Sequence, residues 1–188
     1  MIKKPATIET YKGEYGILVN DMFPEFKTLQ KELDESIRAK KGINTEDWNN
    51  MESFLIMHHI ALKNEVNEFI NECRDIWKYW KDKAVDRALL IDEFADIIHF
   101  VSLIDNKNEE TSLNTKVFDT AVEEIELQSQ NSISLKWLDE LERSSHINDI
   151  LSYASLILIV HYGFTSDDIL EAYKAKNKVN YERQENGY

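Results

Sequence analysis

The chain has 188 residues, enough for one domain with a sizeable core, and its 22 Lys and Arg against 35 Asp and Glu give a formal charge of −13. That surplus of negative charge repels phosphate backbones and anionic lipid, which argues against nucleic acid or a membrane as partner. The single cysteine, Cys73, has no mate for an internal disulfide, the first residues lack the apolar run of a secretory signal, and the longest apolar run, Leu156 to Val160, is too short to cross a bilayer; the expected location is the cytoplasm.

Five Gly and two Pro leave few breakers, and strand-like alternation is scarce, so the chain reads as all-α. Pro24 suits the first turn of a helix to about residue 40, with Phe26, Leu29, Leu33 and Ile37 on one face and Gly42 ending it. Asn44 or Thr45 is the expected N-cap of a second helix reaching about residue 75. An aromatic, basic connection follows, Trp77-Lys78-Tyr79-Trp80-Lys81. From about residue 85 to 104 the spacing of Leu89, Leu90, Glu93, Ile97, Phe100 and Ile104 is again helical, and residues 106–108 end it. Helical patches at 117–127 and 135–141 flank a loop-like stretch at 129–132. A helix over 146–162 stops at Gly163, and Thr165 or Ser166 caps the last one.

The second helix sets two acids on or beside its own apolar stripe: Glu65 and Glu68 share a face with Ala61, Leu62 and Phe69. Glu93 and Asp96 repeat the pattern beside Leu89, Ile97 and Phe100. Four carboxylates on facing helices repel one another unless a cation compensates, and oxygen donors suit the hard ions Mg²⁺ or Mn²⁺. The bland reading is that acids three apart, like Glu72, Asp75 and Asp92, line solvated faces. A di-iron bundle fits less well, because only one acid-x-x-His unit, Asp96 with His99, is present.

The C-terminal segment inverts the charge of the chain. Tyr173, Lys176, Asn177, Asn180, Arg183 and Gln184 recur at helical spacing as one polar, cationic stripe, suited to a polyphosphate. The bland reading is a frayed, soluble terminus.

Four segments together carry a resemblance: Glu65-x-x-Glu68, the Trp77 to Lys81 connection, Glu93-x-x-Asp96-x-x-His99-Phe100, and the tail from Lys176 to Tyr188. In these, and in the stretch Leu29 to Asp34, the chain resembles the dimeric all-α dUTP diphosphatases of the MazG-like NTP pyrophosphatase superfamily. Residues 1–20 and about 105–165 contribute little to it. The resemblance implies a helical bundle of the all-α NTP pyrophosphatase type over residues 1–188, with 172–188 closing the phosphate site. It implies that Glu65, Glu68, Glu93 and Asp96 ligate Mg²⁺, and that a metal-activated water, assisted by Glu65 or Glu68, converts dUTP to dUMP and pyrophosphate. By the same resemblance Gln30 would read the uracil edge, Phe100 would stack on the base, and Asp96 would also face the deoxyribose. Trp80 and Lys81 would close over the nucleotide, and Lys176, Asn180 and Arg183 would fix the phosphates, with Asn177 and Tyr188. A homodimer is implied, and dUDP is a further candidate substrate. His99 is given no catalytic role, and the role of Asp34 stays open. The competing readings are a related pyrophosphatase acting on dCTP or modified nucleotides, and a non-catalytic helical interaction protein.

Overall fold

In the computed structural model, which describes residues 6–50, 52–108, 113–127 and 130–187, every regular element among those residues is helical. Thr7 caps α1 (Ile8–Gly16) by accepting from the Thr10 N–H. A π-helical turn, Ile17–Met22, joins α1 to α2 (Phe23–Lys41), and the residues at both junctions keep right-handed helical dihedrals. Pro24 therefore does not open a free-standing helix; it lies inside a continuous helical rod that begins upstream of the predicted start. The π turn explains how: Phe23 N–H bonds back to Leu18 O, and widening the turn ahead of Pro24 eases the missing donor and ring clash that a proline brings. Gly42 ends α2 in the left-handed region at φ 69°, as its position predicts.

Asn44 caps α3 (Thr45–Asn50) through a 2.8 Å bond from the Asp47 N–H, and α4 spans Glu52–Glu72. Met51, inside the predicted second helix, lies outside the described residues. The short α5 (Arg74–Trp77) leads into the turn at residues 79–80. Asp86 Oδ1 accepts from the N–H groups of Ala88 and Leu89, so α6 (Arg87–Asn108) begins two residues later than its periodicity suggests. α7 (Lys116–Glu123) runs into a 3₁₀ turn, Glu124–Leu127. α8 spans Gln130–Arg143, so positions 130–132 of the expected loop are helical; Ser129 lies outside the described residues. The buried series Ile133, Trp137, Leu138 and Leu141 sets the helical period there.

α9 (Ile147–Ser155) continues through a second π turn, Leu156–His161, and stops at Gly163, φ 71°. Thr165 and Asp168 form a reciprocal capping box for α10 (Ser166–Glu185). α6 is the central element, packed along α4 and against α2, α9 and α10. Phe94, Ile97, Ile98 and Val101 are fully buried, and they meet Leu62, Val66 and Phe69 of α4 in one core with Leu156, Ile157 and Leu158. Among the described residues no single helix is long and apolar enough to cross a membrane.

Candidate active site

The packing of α4 against α6 brings acids together. Glu65, Glu93 and Asp96 each offer a carboxylate oxygen, and the three oxygens lie within 4.8 Å of one another. Glu68, the fourth acid expected here, is exposed, and its Oε1 accepts a 2.8 Å bond from Asn64 Nδ2. It stands outside the tight group but close enough for its charge to act on Glu65 and Glu93. Burial, reinforced by the charge of Asp96 and then by the neighbouring glutamates, pushes the Glu65 carboxyl up to about 7. Glu93 is pushed up to about 7 by burial and by the charges of Asp96 and Glu68. Asp96 is also raised by burial, against the pull of Lys176. These directions describe a site short of positive charge, and an all-oxygen donor set on two rigid helices fits a hard divalent cation.

A protein cation enters the group. Lys176 Nζ, on α10, lies 2.6 Å from Asp96 Oδ2 and 2.6 Å from Asp92 Oδ2. Asp92, which resembles a solvated acid in the sequence, is thus a partner of the basic stripe. Glu72 likewise departs from the solvated pattern: it is buried and ion-paired with Arg74.

Beside the acids runs a cleft of about 300 Å³. Its lining combines the polar Glu65, Asp96, Asn180, Arg183 and Gln184 with the apolar Leu33, Ile37, Phe100 and Leu103, and Gln30 and Asp34 also face it. The apolar lining draws on the α2 stripe, on which Leu33 is buried and Ile37 half-buried. Gln30 is held from behind: its Oε1 lies 2.6 Å from His99 Nδ1, and the His99 ring stacks on Tyr173 at 4.2 Å. Burial lowers His99 to about 3, so the imidazole is neutral and carries one proton. Its Nε2 is buried without a hydrogen-bond partner among the described residues. A proton on Nε2 would be an orphaned buried donor costing about 1–3 kcal/mol, whereas a proton on Nδ1 is donated to Gln30 Oε1. The favoured arrangement is therefore Nδ1–H, with the Gln30 amide NH₂ left for the cleft. Asp34, one turn from Gln30, accepts from Arg38 Nε at 2.7 Å.

The remaining predicted residues divide. Asn180, Arg183 and Phe100 line the cleft. Asn177 is buried instead, and neither of its amide atoms has a hydrogen-bond partner among the described residues. Trp80 and Lys81 are exposed outside the cleft wall; Trp80 packs edge-on to Trp77 and Tyr79 at 5.7 and 5.1 Å. Tyr188 lies outside the described residues. Cys73 is buried, and burial more than the nearby acids raises its thiol, so it is no nucleophile. A larger cavity, about 730 Å³, opens around Trp48 and shares Asp34 and Leu103 with the cleft, but the three carboxylates do not line it, and Lys27 and Arg38 in it are paired with Asp105 and Asp34.

No curated protein matches the chain. A family sequence model described as dUTPase does match it, over residues 22–188, a span that takes in α2 through α10 and with them the acids, the cleft and the basic stripe. The family is generally dependent on a divalent metal, in keeping with the acidic group between α4 and α6. The chain belongs to the dUTPase family and is an all-α dUTP diphosphatase, an enzyme that hydrolyses dUTP.

Proposed function

We propose that the enzyme uses Mg²⁺, with Mn²⁺ as a substitute, to hydrolyse dUTP to dUMP and pyrophosphate, and that Glu65, Glu68, Glu93 and Asp96 hold the metal. The observation that carries this reading is the convergence of three carboxylate oxygens within 4.8 Å, from two helices, with Glu68 one turn away. A bound divalent cation supplies charge neutralisation for the phosphate chain and lowers the pKa of a coordinated water. The chain's own residues do the rest. Glu65 or Glu68 accepts the proton that the attacking water loses. Lys176, Asn180 and Arg183, on one face of α10, hold the phosphates, with Asn177 behind them; Lys176 gives a point charge and Arg183 a planar fork. Hydrolysis of a phosphoanhydride needs mainly positioning and charge neutralisation, so no Ser or Cys nucleophile is required.

The cleft orients the nucleoside. Its apolar side chains take the base, with Phe100 stacked on the ring and Gln30 bonded to the uracil edge, and Asp96 meets the deoxyribose as well. Trp80 and Lys81, exposed just beyond α5, swing over the bound nucleotide. dUDP presents the same base, sugar and anhydride and is a second substrate. Residues 1–188 act as one domain, with 172–188 closing the phosphate site. The enzyme works in the cytoplasm as a homodimer; the exposed apolar side chains Ile56, Met57 and Ile60 on α4 suit contact with a second copy.

The test is a screen of the deoxynucleoside triphosphates with Mg²⁺ and with chelator. dUTP is consumed only with the metal, releasing pyrophosphate, and Glu93→Gln abolishes turnover. Full activity of Glu93→Gln, or of the wild type in chelator, would sink the metal assignment.

A further inference from the structure

We propose that His99 and Arg38 are positioning residues that hold Gln30 and Asp34 as an ordered donor–acceptor pair, which reads the 4-keto, 3-NH edge of a pyrimidine and rejects the 4-amino edge. The inference rests on the reading above that the base lies against the apolar side chains of the cleft.

Gln30 and Asp34 stand one turn apart on α2, on the same face, and both line the cleft. Neither is a free rotor. The Oε1 of Gln30 is committed to His99 Nδ1, and the stacking of His99 on Tyr173, whose Oη donates to Phe26 O at 3.0 Å, ties the imidazole to both α10 and α2. The amide can therefore offer only its NH₂ to a ligand. Arg38 Nε takes Asp34 Oδ2, which leaves Oδ1 as an acceptor. Along α2 the cleft thus presents a donor and then an acceptor.

Uracil shows the complement: the O4 carbonyl accepts and N3–H donates. Cytosine shows the reverse, an amino group at C4 and a lone pair at N3. Its amino group would face the Gln30 NH₂, and its N3 would face the Asp34 carboxylate, so two buried polar contacts would be lost together. Thymine carries the same edge as uracil, so this pair separates both from cytosine without separating them from each other. Exclusion of the thymine methyl falls to the walls of the cleft.

That division gives the test an internal control. kcat/KM is measured on the full chain with Mg²⁺ for dUTP, dCTP and dTTP. His99→Phe keeps a ring to stack on Tyr173 but removes the Nδ1–H, freeing the Gln30 amide to flip; Asp34→Asn lets position 34 offer a donor. In each variant the dUTP to dCTP ratio falls by about 10- to 100-fold, mostly through a higher KM for dUTP, while the dUTP to dTTP ratio stays constant. An unchanged dUTP to dCTP ratio overturns the proposal. So does a parallel fall in both ratios, which is the mark of a loosened pocket. Arg38→Met, which keeps the stem but releases the Asp34 carboxylate, is read in the same way, and it decides if circular dichroism shows that His99→Phe does not fold. Failure of the underlying base placement is seen separately, as a Phe100→Ala variant with an unchanged KM for dUTP.

Discussion

Replacing Glu65 with Gln should make the metal-free protein more stable at pH 8, although it removes a residue of the active site. The Glu65 carboxyl is raised from 4.5 to about 7, chiefly by burial and then by the charges of Asp96, Glu68 and Glu93. Below pH 4.5 both folded and unfolded chains hold the proton, and the group is neutral in its effect. Between 4.5 and about 7 the unfolded chain releases the proton while the folded one keeps it, so stability falls as pH rises; above about 7 the loss is complete. At about 1.4 kcal/mol per pKa unit the full shift corresponds to about 3 kcal/mol, and solvent access to the cleft reduces this to about 1–2 kcal/mol. For a domain of this size that raises the melting temperature of Glu65→Gln by about 2–8 °C at pH 8 in chelator. Most of the gain should be gone at pH 5. The assay is thermal unfolding by circular dichroism at the two pH values. A variant no more stable than wild type at pH 8, or one whose gain is as large at pH 5, would refute the account of the acid group.

Adding Mg²⁺ should reverse that order: the wild type melts higher with the ion, by about 2.7 kcal/mol of extra stability at a hundredfold excess over Kd, and Glu65→Gln gains less. Phe100→Ala should raise the KM for dUTP about tenfold or more, as expected for about 1.5 kcal/mol of lost base contact, with a smaller change in kcat; steady-state kinetics decide. Thr165→Ala removes half of the α10 capping box and should cost about 1 kcal/mol, read by urea denaturation. Gly163→Ala should cost a similar amount, because Gly163 sits at φ 71° and alanine is strained there whatever the space around it.

The helical class was plain from the scarcity of breakers, and the ends of helices were legible wherever a side chain makes the cap: Asn44, Gly42, Gly163 and Thr165 all act as their chemistry predicts. What escaped was set by the rest of the fold. Pro24 reads as a start signal because a proline inside a rod is rare, and the π turn that accommodates it leaves no local signature. Of the four expected acids, Glu65, Glu93 and Asp96 converge because each falls on the seam between α4 and α6; Glu68 shares its helix face with Glu65 but turns towards Asn64 at the surface. Asp92 could not be told from its solvated neighbours, since its partner Lys176 lies far along the chain and meets it only when α10 docks on α6. The link from His99 to Gln30 was hidden for the same reason: it joins α2 to α6 and depends on burial that periodicity alone does not reveal.

The ammonium of Lys176 between Asp92 and Asp96 makes the folded enzyme its own first counter-ion. A protein whose acids face one another with nothing between them would need metal to fold, as small zinc domains do. Here the last helix brings a cation of its own, so the fold is expected to survive chelation even where activity, on the proposed metal-dependent reading, does not. On the proposed reading the same lysine would exchange one anion for another each turnover, leaving a carboxylate for a phosphate and returning when the product departs, which would tie the docking of α10 to turnover as well as to the fold.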